Sequence, residues 1–397
     1  MENADLSAPG IVMPFTLNSA TLKSATVKLA TLRPTRPLRV GIVCPYSLSI
    51  PGGVQAQVMG LARELRKMGV EARVLGPCDG PPPATFVSPL GNSFPTAANG
   101  SMAPIAPDPT AQLRTIQLLN DEQFDVLHVH EPLAPGVAQT ALFLNSAPIV
   151  GTFHAAGEST SYKMLTAPLR RIADNISYRV VVSKDALELI QTSMGGEYEV
   201  LFNGVELDRF HEAIARGFAD PTVFFCGRHE ERKGLDVLLA AFAMLPENVR
   251  LLVASSGPDS KRLQQQYASE PRIEWLGTIS DEEKMSYLKG STVFCAPSLR
   301  GESFGVVLIE AMAAGTAVVA SSLDGYRNVA THDHDSLLCE PGDVPGLAQA
   351  LNLVLGDAAL RERLRLRGSE RAADFSMSGL ATKYLAIYMR LDRKSVV

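Results

Sequence analysis

Two glutamates lie in a glycine-bounded string in the second half of the chain, Gly301-Glu302-Ser303-Phe304-Gly305-Val306, which continues to Glu310 and Gly315. Paired carboxylates suit the hydrolysis of a glycosidic bond, but the two carboxyl groups of such enzymes stand roughly 5 to 9.5 Å apart. Placed on one helix, Glu302 and Glu310 would be separated by about 12 Å. We therefore predict that the two acids hold different parts of one extended ligand. Ser303 is the expected N-cap of the helix, and Gly315 is expected just beyond its end.

Three cations follow the strand that begins the second half of the chain. Arg228 comes after Gly227 at the strand end, and Arg232 and Lys233 precede Gly234, where a helix begins. A helix N-terminus attracts anions through its free N–H groups and its dipole, so cations beside it predict a site for a diphosphate. The alternative is that these cations are solvated surface residues, as most Arg and Lys side chains are.

A glycine pair lies between the first strand and the first helix, in Pro51-Gly52-Gly53-Val54-Gln55. Glycine lets the backbone approach a ligand closely, and the free N–H groups of the following helix suit a phosphate. An ordinary turn between a strand and a helix explains the same residues. They form neither a GxGxxG fingerprint nor a Walker motif.

Histidines end two neighbouring strands of the first half. His128 and His130 alternate along one strand and so share a face, with a spacing that metal ligands use. No third His or Cys follows at a usual distance, which favours a hydrogen-bonded strand end over zinc. His154 ends the next strand, at the edge where open α/β sheets bind ligands. Asp333-His334-Asp335 has the DxD form but falls in a predicted turn, so we expect no metal and no cofactor.

The elements that must position these residues follow from the hydrophobic pattern. Short apolar runs alternate with segments of helical period from Leu38 onward, which predicts an α/β fold with parallel sheets. The pattern lapses near residues 205–220 and then starts again, which predicts two doubly wound, Rossmann-like domains. The proline-rich segment 80–109 is expected to be mostly irregular. The predicted strands are 39–44, 71–75, 126–129, 149–153, 180–182, 222–226, 249–254, 272–276, 293–296 and 317–320, and the clearest helices are 55–68, 234–245 and 377–391.

Composition excludes several classes of protein. The 397 residues carry a net charge of -5, so no general positive field attracts nucleic acid or an anionic membrane. No apolar run reaches the roughly 20 residues of a membrane-spanning helix. The five scattered cysteines predict reduced core thiols and a cytoplasmic location. Residues 1–37, basic and rich in Ser, Thr and Ala, are expected to form a dispensable or disordered leader, and a transit peptide has the same composition.

Together these motifs resemble the retaining GT-B glycosyltransferases of family four, in particular those of actinobacteria that transfer mannose to phosphatidylinositol. The resemblance runs from Leu38 to the C-terminus and rests on motifs in both halves, in the same order. They are Val43-Cys44-Pro45-Tyr46 with the glycine pair, residues 125–132, Asn203-Gly204-Val205, residues 301–305 and residues 310–321.

The resemblance implies two Rossmann-like domains facing each other across a central cleft. Residues 38–210 would be the acceptor-side domain, residues 211–375 would bind the nucleotide sugar, and residues 376–397 would form a helix that could cross back to the first domain. The roles that the resemblance implies are as follows: Arg228, Lys233 and the neighbouring Arg232 neutralise the diphosphate; Gly52 and Gly53 bring backbone to it; Glu310 binds the ribose; Glu302 and the backbone of Ser303, Phe304, Gly305 and Val306 hold the sugar and leaving group; His154 approaches the transferred sugar; and Tyr46 helps to form the acceptor side. No enzymic nucleophile is evident.

The implied reaction is transfer of a hexose, with mannose from GDP-mannose as first choice, to an inositol lipid or related acceptor. The alternatives are a UDP-sugar-dependent transferase with a soluble acceptor, and a protein that binds sugar nucleotides without turnover. Residues 102–107 lack the arginine that the family uses for the inositol phosphate, and His154 is followed by Ala155 where the family has Thr. Segment 110–120, which corresponds to the family's Lys-rich membrane helix, holds only Arg114, and Lys163, Arg170 and Arg171 make a small substitute patch. We expect weak peripheral binding to the inner face of the plasma membrane.

Overall fold

The computed structural model describes residues 36–98, 101–155, 167–302 and 304–395. Ser303, Lys163 and residues 1–35 of the predicted leader lie outside these ranges.

The first half of the chain forms a parallel sheet with helices on its faces. Its strands are β1 (Arg39–Val43), β2 (Glu71–Gly76), β3 (Val87–Pro89), β4 (Phe94–Ala98), β5 (Ser101–Ile105), β6 (Val126–His130), β7 (Ile149–Phe153), β8 (Ile176–Val181) and β9 (Glu199–Val200), and its helices are α1 (Gly53–Lys67), α2 (Pro109–Glu122), α3 (Val137–Leu144), α4 (Ala167–Ala173), α5 (Lys184–Met194) and α6 (Leu207–Glu212). Seven strands pair in the order β3-β2-β1-β6-β7-β8-β9, while β4 and β5 form a separate hairpin. All strand pairs of the seven-stranded sheet are parallel, so the ends of β1, β6 and β7 meet at one edge.

The second half repeats this architecture. Its strands are β10 (Thr222–Cys226), β11 (Arg250–Ala254), β12 (Ile273–Gly277), β13 (Val293–Ala296), β14 (Ala317–Ser321) and β15 (Leu337–Cys339), and its helices are α7 (Leu235–Phe242), α8 (Ser260–Gln266), α9 (Asp281–Gly290), α10 (Val306–Ala313), α11 (Asp324–Arg327), α12 (Val344–Gly356), α13 (Ala358–Ala373) and α14 (Met377–Ser395). The six strands are ordered β12-β11-β10-β13-β14-β15, all in parallel. The predicted α/β class with two Rossmann-like sheets is confirmed.

Buried apolar runs explain why these segments become strands. All five residues of β7 are buried, as are all four of β13, which is typical of parallel strands covered by helices on both faces. Helix α1 instead buries one face, which includes Val58, Leu61 and Leu65. The chain then turns at Gly69, whose φ of 86° favours glycine.

The proline-rich segment 80–109 departs from the prediction, because it contains β3 and the β4–β5 hairpin. Pro95 and Pro104 lie opposite each other in this hairpin. Each strand of a two-stranded hairpin has a free edge, where a missing N–H breaks no ladder. The prediction of a mostly irregular segment was therefore wrong for these strands. An isolated bridge from Tyr46 to Ile105 ties the hairpin to the loop after β1.

The Asn203-Gly204-Val205 motif lies where the chain passes between its halves. Val205 N–H donates to Phe375 O (2.8 Å), and Met377 N–H donates to Val205 O (2.9 Å). A Cβ on Gly204 would stand 2.9 Å from Met377 Cα, so glycine allows this close approach. Beyond the crossing, α14 packs against α1 and β6. The domain boundaries at residues 210 and 375 stay a prediction.

No helix in the described ranges has both the length and the hydropathy needed to cross a membrane.

Candidate active site

Three cations and two carboxylates, Glu302 and Glu230, meet at the carboxyl edge of the second sheet. Glu230 Oε1 lies 2.7 Å from Arg232 Nε. Lys233 Nζ lies 2.5 Å from Glu302 Oε1, and Arg232 Nη1 lies 3.5 Å from the same oxygen. The Ser298 hydroxyl, after β13, also donates to this oxygen at 3.0 Å. Arg228 stands beside them, with its side chain 48% exposed and its Nε 3.5 Å from Glu230 Oε2. The structure therefore brings together the cations and the carboxylate that the sequence predicts as diphosphate and sugar ligands.

Backbone geometry makes this arrangement possible. Residues 231–233 form a single 3-10 turn that ends at Gly234, where φ is 67°. A Cβ on Gly234 would lie 1.9 Å from Pro297 O, so only glycine lets the turn pack against the loop after β13. Leu299 N–H then donates to Arg232 O at 2.8 Å, which locks the two loops together.

The helix after Glu302 begins later than predicted. Helix α10 starts at Val306, and its N-cap is Gly305, with φ of 92° and no side-chain cap. Ser303 is therefore not the N-cap, and Glu302 lies in the loop before the helix rather than on the same helix as Glu310. The separation of about 12 Å that was expected from one continuous helix has no basis in this structure. The prediction that Gly315 follows the helix end is confirmed, since its φ is 74°.

Phe304 and Gly305 have structural tasks within this loop. The Phe304 side chain is 1% exposed and stacks on Phe202, with ring centroids 5.2 Å apart. Only the backbone of Phe304 is left for a ligand. A Cβ on Gly305 would stand 2.8 Å from Tyr326 Cδ1, so the loop passes too close to that buried ring for any larger residue.

Glu310 lies within α10 and pairs with Lys284 of α9. Its Oε1 is 2.8 Å from Lys284 Nζ. Burial by itself would lower the pKa of Lys284, but the Glu310 carboxylate outweighs it and holds that pKa above the ordinary value. No sequence motif pointed to Lys284, because the contact depends on how α9 packs against α10. The ribose-binding role of Glu310 stays a prediction.

The glycine pair occupies the N-terminus of α1, at the edge of the first sheet. Gly52 is its N-cap, in extended conformation without a side-chain cap, and the first turn has no acidic residue. A Cβ on Gly53 would meet nothing within 4 Å, so the space next to this residue is open. The N–H groups of the first turn are therefore suited to an anion.

Glu131 shapes the histidine end of the first sheet. Its carboxylate Oε1 accepts bonds from the backbone N–H groups of His154 and Ala155, both at 2.6 Å. Glu131 has a positive φ of 43°, which is uncommon for a residue other than glycine. Burial and the neighbouring Glu131 carboxylate raise the pKa of Tyr46. Glu131 thus links two predicted site residues, Tyr46 and His154.

The paired histidines of β6 form hydrogen bonds with protein groups. Both ring nitrogens of His128 have protein partners, and His130 Nδ1 bonds to His154 Nε2. Asp333 pairs with Arg363, and Asp335 accepts a bond from Thr331 N–H. Among the residues that the structure describes, no three His, Cys, Asp or Glu side chains are grouped to hold a metal ion. Metal independence stays a prediction.

Acidic residues that follow strands of the two sheets come near each other. Asp185 follows β8 in the first sheet, and Asp324 follows β14 in the second. Burial and the nearby Asp324 carboxylate raise the pKa of Asp185. These two carboxylates, one after each sheet, therefore lie near each other. Two Rossmann-like sheets with strand ends facing a cleft define the GT-B class of glycosyltransferases.

Comparisons with known proteins agree with this class. The family described as Glycosyl transferases group 1 matches residues 208–371, and Glycosyltransferase Family 4 matches residues 51–209. Sucrose-phosphate synthase from Thermosynechococcus elongatus has a similar structure, with a TM-score of 0.70 and 19% identity over 89% of this chain and 99% of that one. The Anabaena HepE complex with UDP and glucose has a TM-score of 0.69 and 19% identity over 89% and 100%.

Curated relatives are more similar in sequence. Phosphatidyl-myo-inositol mannosyltransferase of Mycobacterium leprae is 37% identical over 361 residues, which cover 88% of this chain and 96% of that protein. The protein of the same name from Propionibacterium freudenreichii is 34% identical over 370 residues, covering 88% and 94%. The chain therefore belongs to the glycosyltransferase family that includes these phosphatidyl-myo-inositol mannosyltransferases, and it is an enzyme of that class.

Proposed function

We propose that this enzyme transfers mannose from GDP-mannose to the inositol ring of phosphatidylinositol, with retention of the anomeric configuration. The observation that carries the proposal is the cluster at the edge of the second sheet, in which Lys233 and Arg232 pair with Glu302 while Arg228 and Arg232 pair with Glu230. Such a cluster fits an anionic leaving group next to a hydroxyl-rich sugar. The choice of mannose and of an inositol lipid rests on relatives of that name, which match over almost their whole length.

The proposed reaction needs no enzymic nucleophile. The bond between the sugar C1 and the diphosphate oxygen breaks, and the acceptor oxygen bonds to C1 on the same face. The acceptor hydroxyl proton passes to the departing phosphate oxygen, so the products are GDP and the mannosylated lipid. Arg228 and Lys233 stabilise the charge that grows on the diphosphate, and Glu302 orients the sugar.

Lys233 and Glu302 are bonded to each other in this structure, so donor binding exchanges one anion for another. A diphosphate oxygen forms an ion pair with Lys233. Glu302 still accepts a hydrogen bond from the Ser298 hydroxyl and also accepts hydrogen bonds from sugar hydroxyl groups. Every buried charge thus has a partner before and after the exchange. This avoids the free-energy cost of an unpaired charge in a closed cleft. Gly52 and Gly53 supply backbone N–H groups from the opposite edge, and Tyr46 and His154 border the sugar and acceptor.

The acceptor places the enzyme at a membrane surface. Arg114 of α2 and Arg170 and Arg171 of α4 are exposed cations on the first half. Each exposed cation contributes about 1 kcal/mol next to an anionic leaflet, so these few give weak binding. Salt screens exposed charges within roughly 8 Å at physiological strength. Co-sedimentation with phosphatidylinositol vesicles should therefore be seen at low salt and fade at physiological salt.

An activity assay tests the proposal directly. The full chain is incubated with GDP-mannose and phosphatidylinositol vesicles, and the lipid product is identified by mass spectrometry. Parallel reactions contain UDP-glucose, UDP-N-acetylglucosamine, or no lipid, and Glu302→Gln serves as the inactive control. A mannosylated lipid formed only with GDP-mannose supports the proposal. Transfer from a UDP-sugar would replace the donor, and nucleotide binding without any transfer or hydrolysis would favour a protein without turnover.

A further inference from the structure

Three histidine rings lie in a row beneath the cleft edge of the first sheet. The ring centroids of His128 and His130 are 4.3 Å apart, and those of His130 and His154 are 5.1 Å apart. His128 is 0% exposed and His130 is 2% exposed, so only His154 at the end of the row reaches toward the cleft. The proposed function uses His154 and leaves the other two rings without a task.

The inner end of the row is held by the C-terminal helix. Tyr388 OH is 2.6 Å from His128 Nδ1, and Thr152 Oγ1 is 2.7 Å from His128 Nε2. Tyr384 OH in turn lies 2.9 Å from Thr152 Oγ1. With both of its nitrogens bonded, the His128 ring is fixed in place, and the His130 ring lies against it at an interplanar angle of 32°.

All three rings are neutral at ordinary pH. Burial lowers the pKa values of His128 and His154 to about 3. Burial also lowers the pKa of His130 well below its ordinary value, and its two histidine neighbours act in the same direction. Among the described residues, His128 neighbours His130, and the Glu131 carboxylate is bonded to the backbone N–H groups of residues 154 and 155. Each ring therefore carries one proton, on one of its two nitrogens.

The bond between His130 Nδ1 and His154 Nε2 is 2.8 Å long and needs one donor and one acceptor. If His154 donated, His130 would carry its proton on Nε2, and that nitrogen is buried with no partner among the described residues. A buried N–H without an acceptor is a rare and costly arrangement. If His130 donates from Nδ1, its Nε2 is a bare nitrogen and no N–H of the buried His130 ring is left without an acceptor.

We propose that His130 is a positioning residue that donates to His154 and holds it as the neutral tautomer with its proton on Nδ1. The Nε2 lone pair of His154 is then occupied, and its other ring nitrogen presents an N–H. His154 can donate a hydrogen bond to a sugar or acceptor oxygen but cannot take the acceptor proton through Nδ1. This inference refines the site of the proposed function, and it rests on that function only for the identity of what His154 meets.

Nuclear magnetic resonance spectroscopy of the full chain determines the tautomer of His154 in the absence of substrate. The protein is labelled with ¹⁵N-histidine, and long-range proton–nitrogen correlations distinguish protonated from bare ring nitrogens. The chain has only seven histidines, so the signals of His154 can be assigned by their loss in His154→Gln. We expect a protonated Nδ1 and a bare Nε2 at His154. A proton on Nε2 in the wild-type spectrum would overturn the proposal.

Two substitutions at residue 130 test the cause of that tautomer. His130→Phe keeps a flat ring for stacking but has no donor, so His154 should shift toward the tautomer protonated on Nε2. His130→Asn places an amide nitrogen where Nδ1 stands, so it should restore the wild-type spectrum. An unchanged His154 spectrum in His130→Phe also counts against the proposal. If that variant does not fold, the wild-type and His130→Asn spectra still decide.

Kinetics separate this proposal from the proposed function. In His130→Phe we expect kcat for sugar transfer to fall about five- to tenfold, the effect of one misplaced neutral hydrogen bond, and His130→Asn should recover most of it. Binding of GDP should be unchanged, because the cations proposed to bind the diphosphate lie on the other sheet and the substitution leaves the backbone of Gly52 and Gly53 as it is. If the wild-type enzyme forms no mannosylated lipid, the proposed function fails while the tautomer assignment stands.

Discussion

The strand ends of the first sheet and those of the second sheet, here called the first edge and the second edge, differ in the kind of polar group that they contain. At the second sheet, Lys233 and Glu302 are charged, 18% and 11% exposed, and only 2.5 Å apart. At the first sheet, His128 and His130 are buried and His154 is partly buried, and the three neutral rings are hydrogen-bonded to one another or to hydroxyl groups. Paired charges near water can exchange partners when an anion arrives, whereas a neutral buried network holds its shape. The comparison predicts that the cations of the second sheet, with the backbone N–H groups of Gly52 and Gly53, bind the anionic part of the ligand, and that the histidine row orients its uncharged part.

Removing cations from the second edge should have the largest effect. Charge-assisted hydrogen bonds contribute about 1.5 to 3 kcal/mol each, and Arg228 is half exposed, so the lower end applies to it. We expect Arg228→Ala combined with Lys233→Ala to weaken GDP binding at least a hundredfold by calorimetry. Arg367→Ala with Lys383→Ala, an exposed pair outside the site, is the matched control. Equal GDP affinity in the two double variants would refute the division between the edges.

The histidine row should make the free energy of unfolding depend on pH below about 6.5, the ordinary histidine pKa. His128 has a pKa of about 3 in the folded protein against 6.5 for an ordinary histidine. Between these values the unfolded chain binds a proton that the folded chain does not, so the free energy of unfolding falls as pH drops below 6.5. The loss is about 2 kcal/mol per such histidine at pH 5. Ordinary carboxylates titrate mainly below this pH. The buried His229 of the second half, whose pKa burial also lowers, contributes in the same pH range, so substitution of His128 is needed to isolate the contribution of the row.

Urea unfolding at pH 7.5 and pH 5 measures this dependence. The midpoint should fall in the wild type and in His211→Gln, which changes an exposed histidine outside the row. The fall should be smaller in His128→Gln, once that variant has been compared with the wild type at pH 7.5. Identical midpoints at both pH values in the wild type would show that the row is not held neutral by burial.

The loop of the second edge should depend on glycine at position 305. Its φ of 92° and the 2.8 Å approach to Tyr326 leave no room for a methyl group. We expect Gly305→Ala to lower the free energy of unfolding by about 2 to 3 kcal/mol and to weaken donor binding. Gly356→Ala is the control, because its Cβ would meet nothing and it lies in a helix with ordinary φ. That control should be neutral or slightly stabilising, and a similar loss in both variants would contradict the prediction.

The smallest effect is expected at the far end of the histidine row. Tyr388→Phe removes the hydroxyl that bonds His128 Nδ1 and leaves that nitrogen buried without a partner, at a cost of about 1 to 2 kcal/mol. Tyr178→Phe removes a hydroxyl that bonds the exposed Glu199 and should cost less. Thermal unfolding of the two variants makes the comparison. A loss at Tyr178 as large as the loss at Tyr388 would argue against a tightly held first edge.

Much of the fold could be predicted from the sequence alone. The strands at residues 149–153, 222–226 and 293–296 were predicted to the residue, because fully buried apolar runs bounded by polar residues are a local signal. The cations at the end of β10 were placed correctly for the same reason. The hairpin in segment 80–109 was not predicted, because its prolines were interpreted as residues that exclude strands. A two-stranded hairpin has free edges, at which proline is tolerated.

What only the tertiary structure decided is which side chains meet. Tyr388 and His128 are 260 residues apart in sequence, and no local pattern couples a tyrosine on the last helix to a strand of the first sheet. Lys284 and Glu310 meet because α9 packs beside α10, and the late start of α10 at Val306 moved Glu302 off the helix and into the cluster of cations. Hydrophobic periodicity sets the faces of each element over a few residues. The partners of a polar group are chosen by the packing of those faces against distant elements, which a local pattern does not contain.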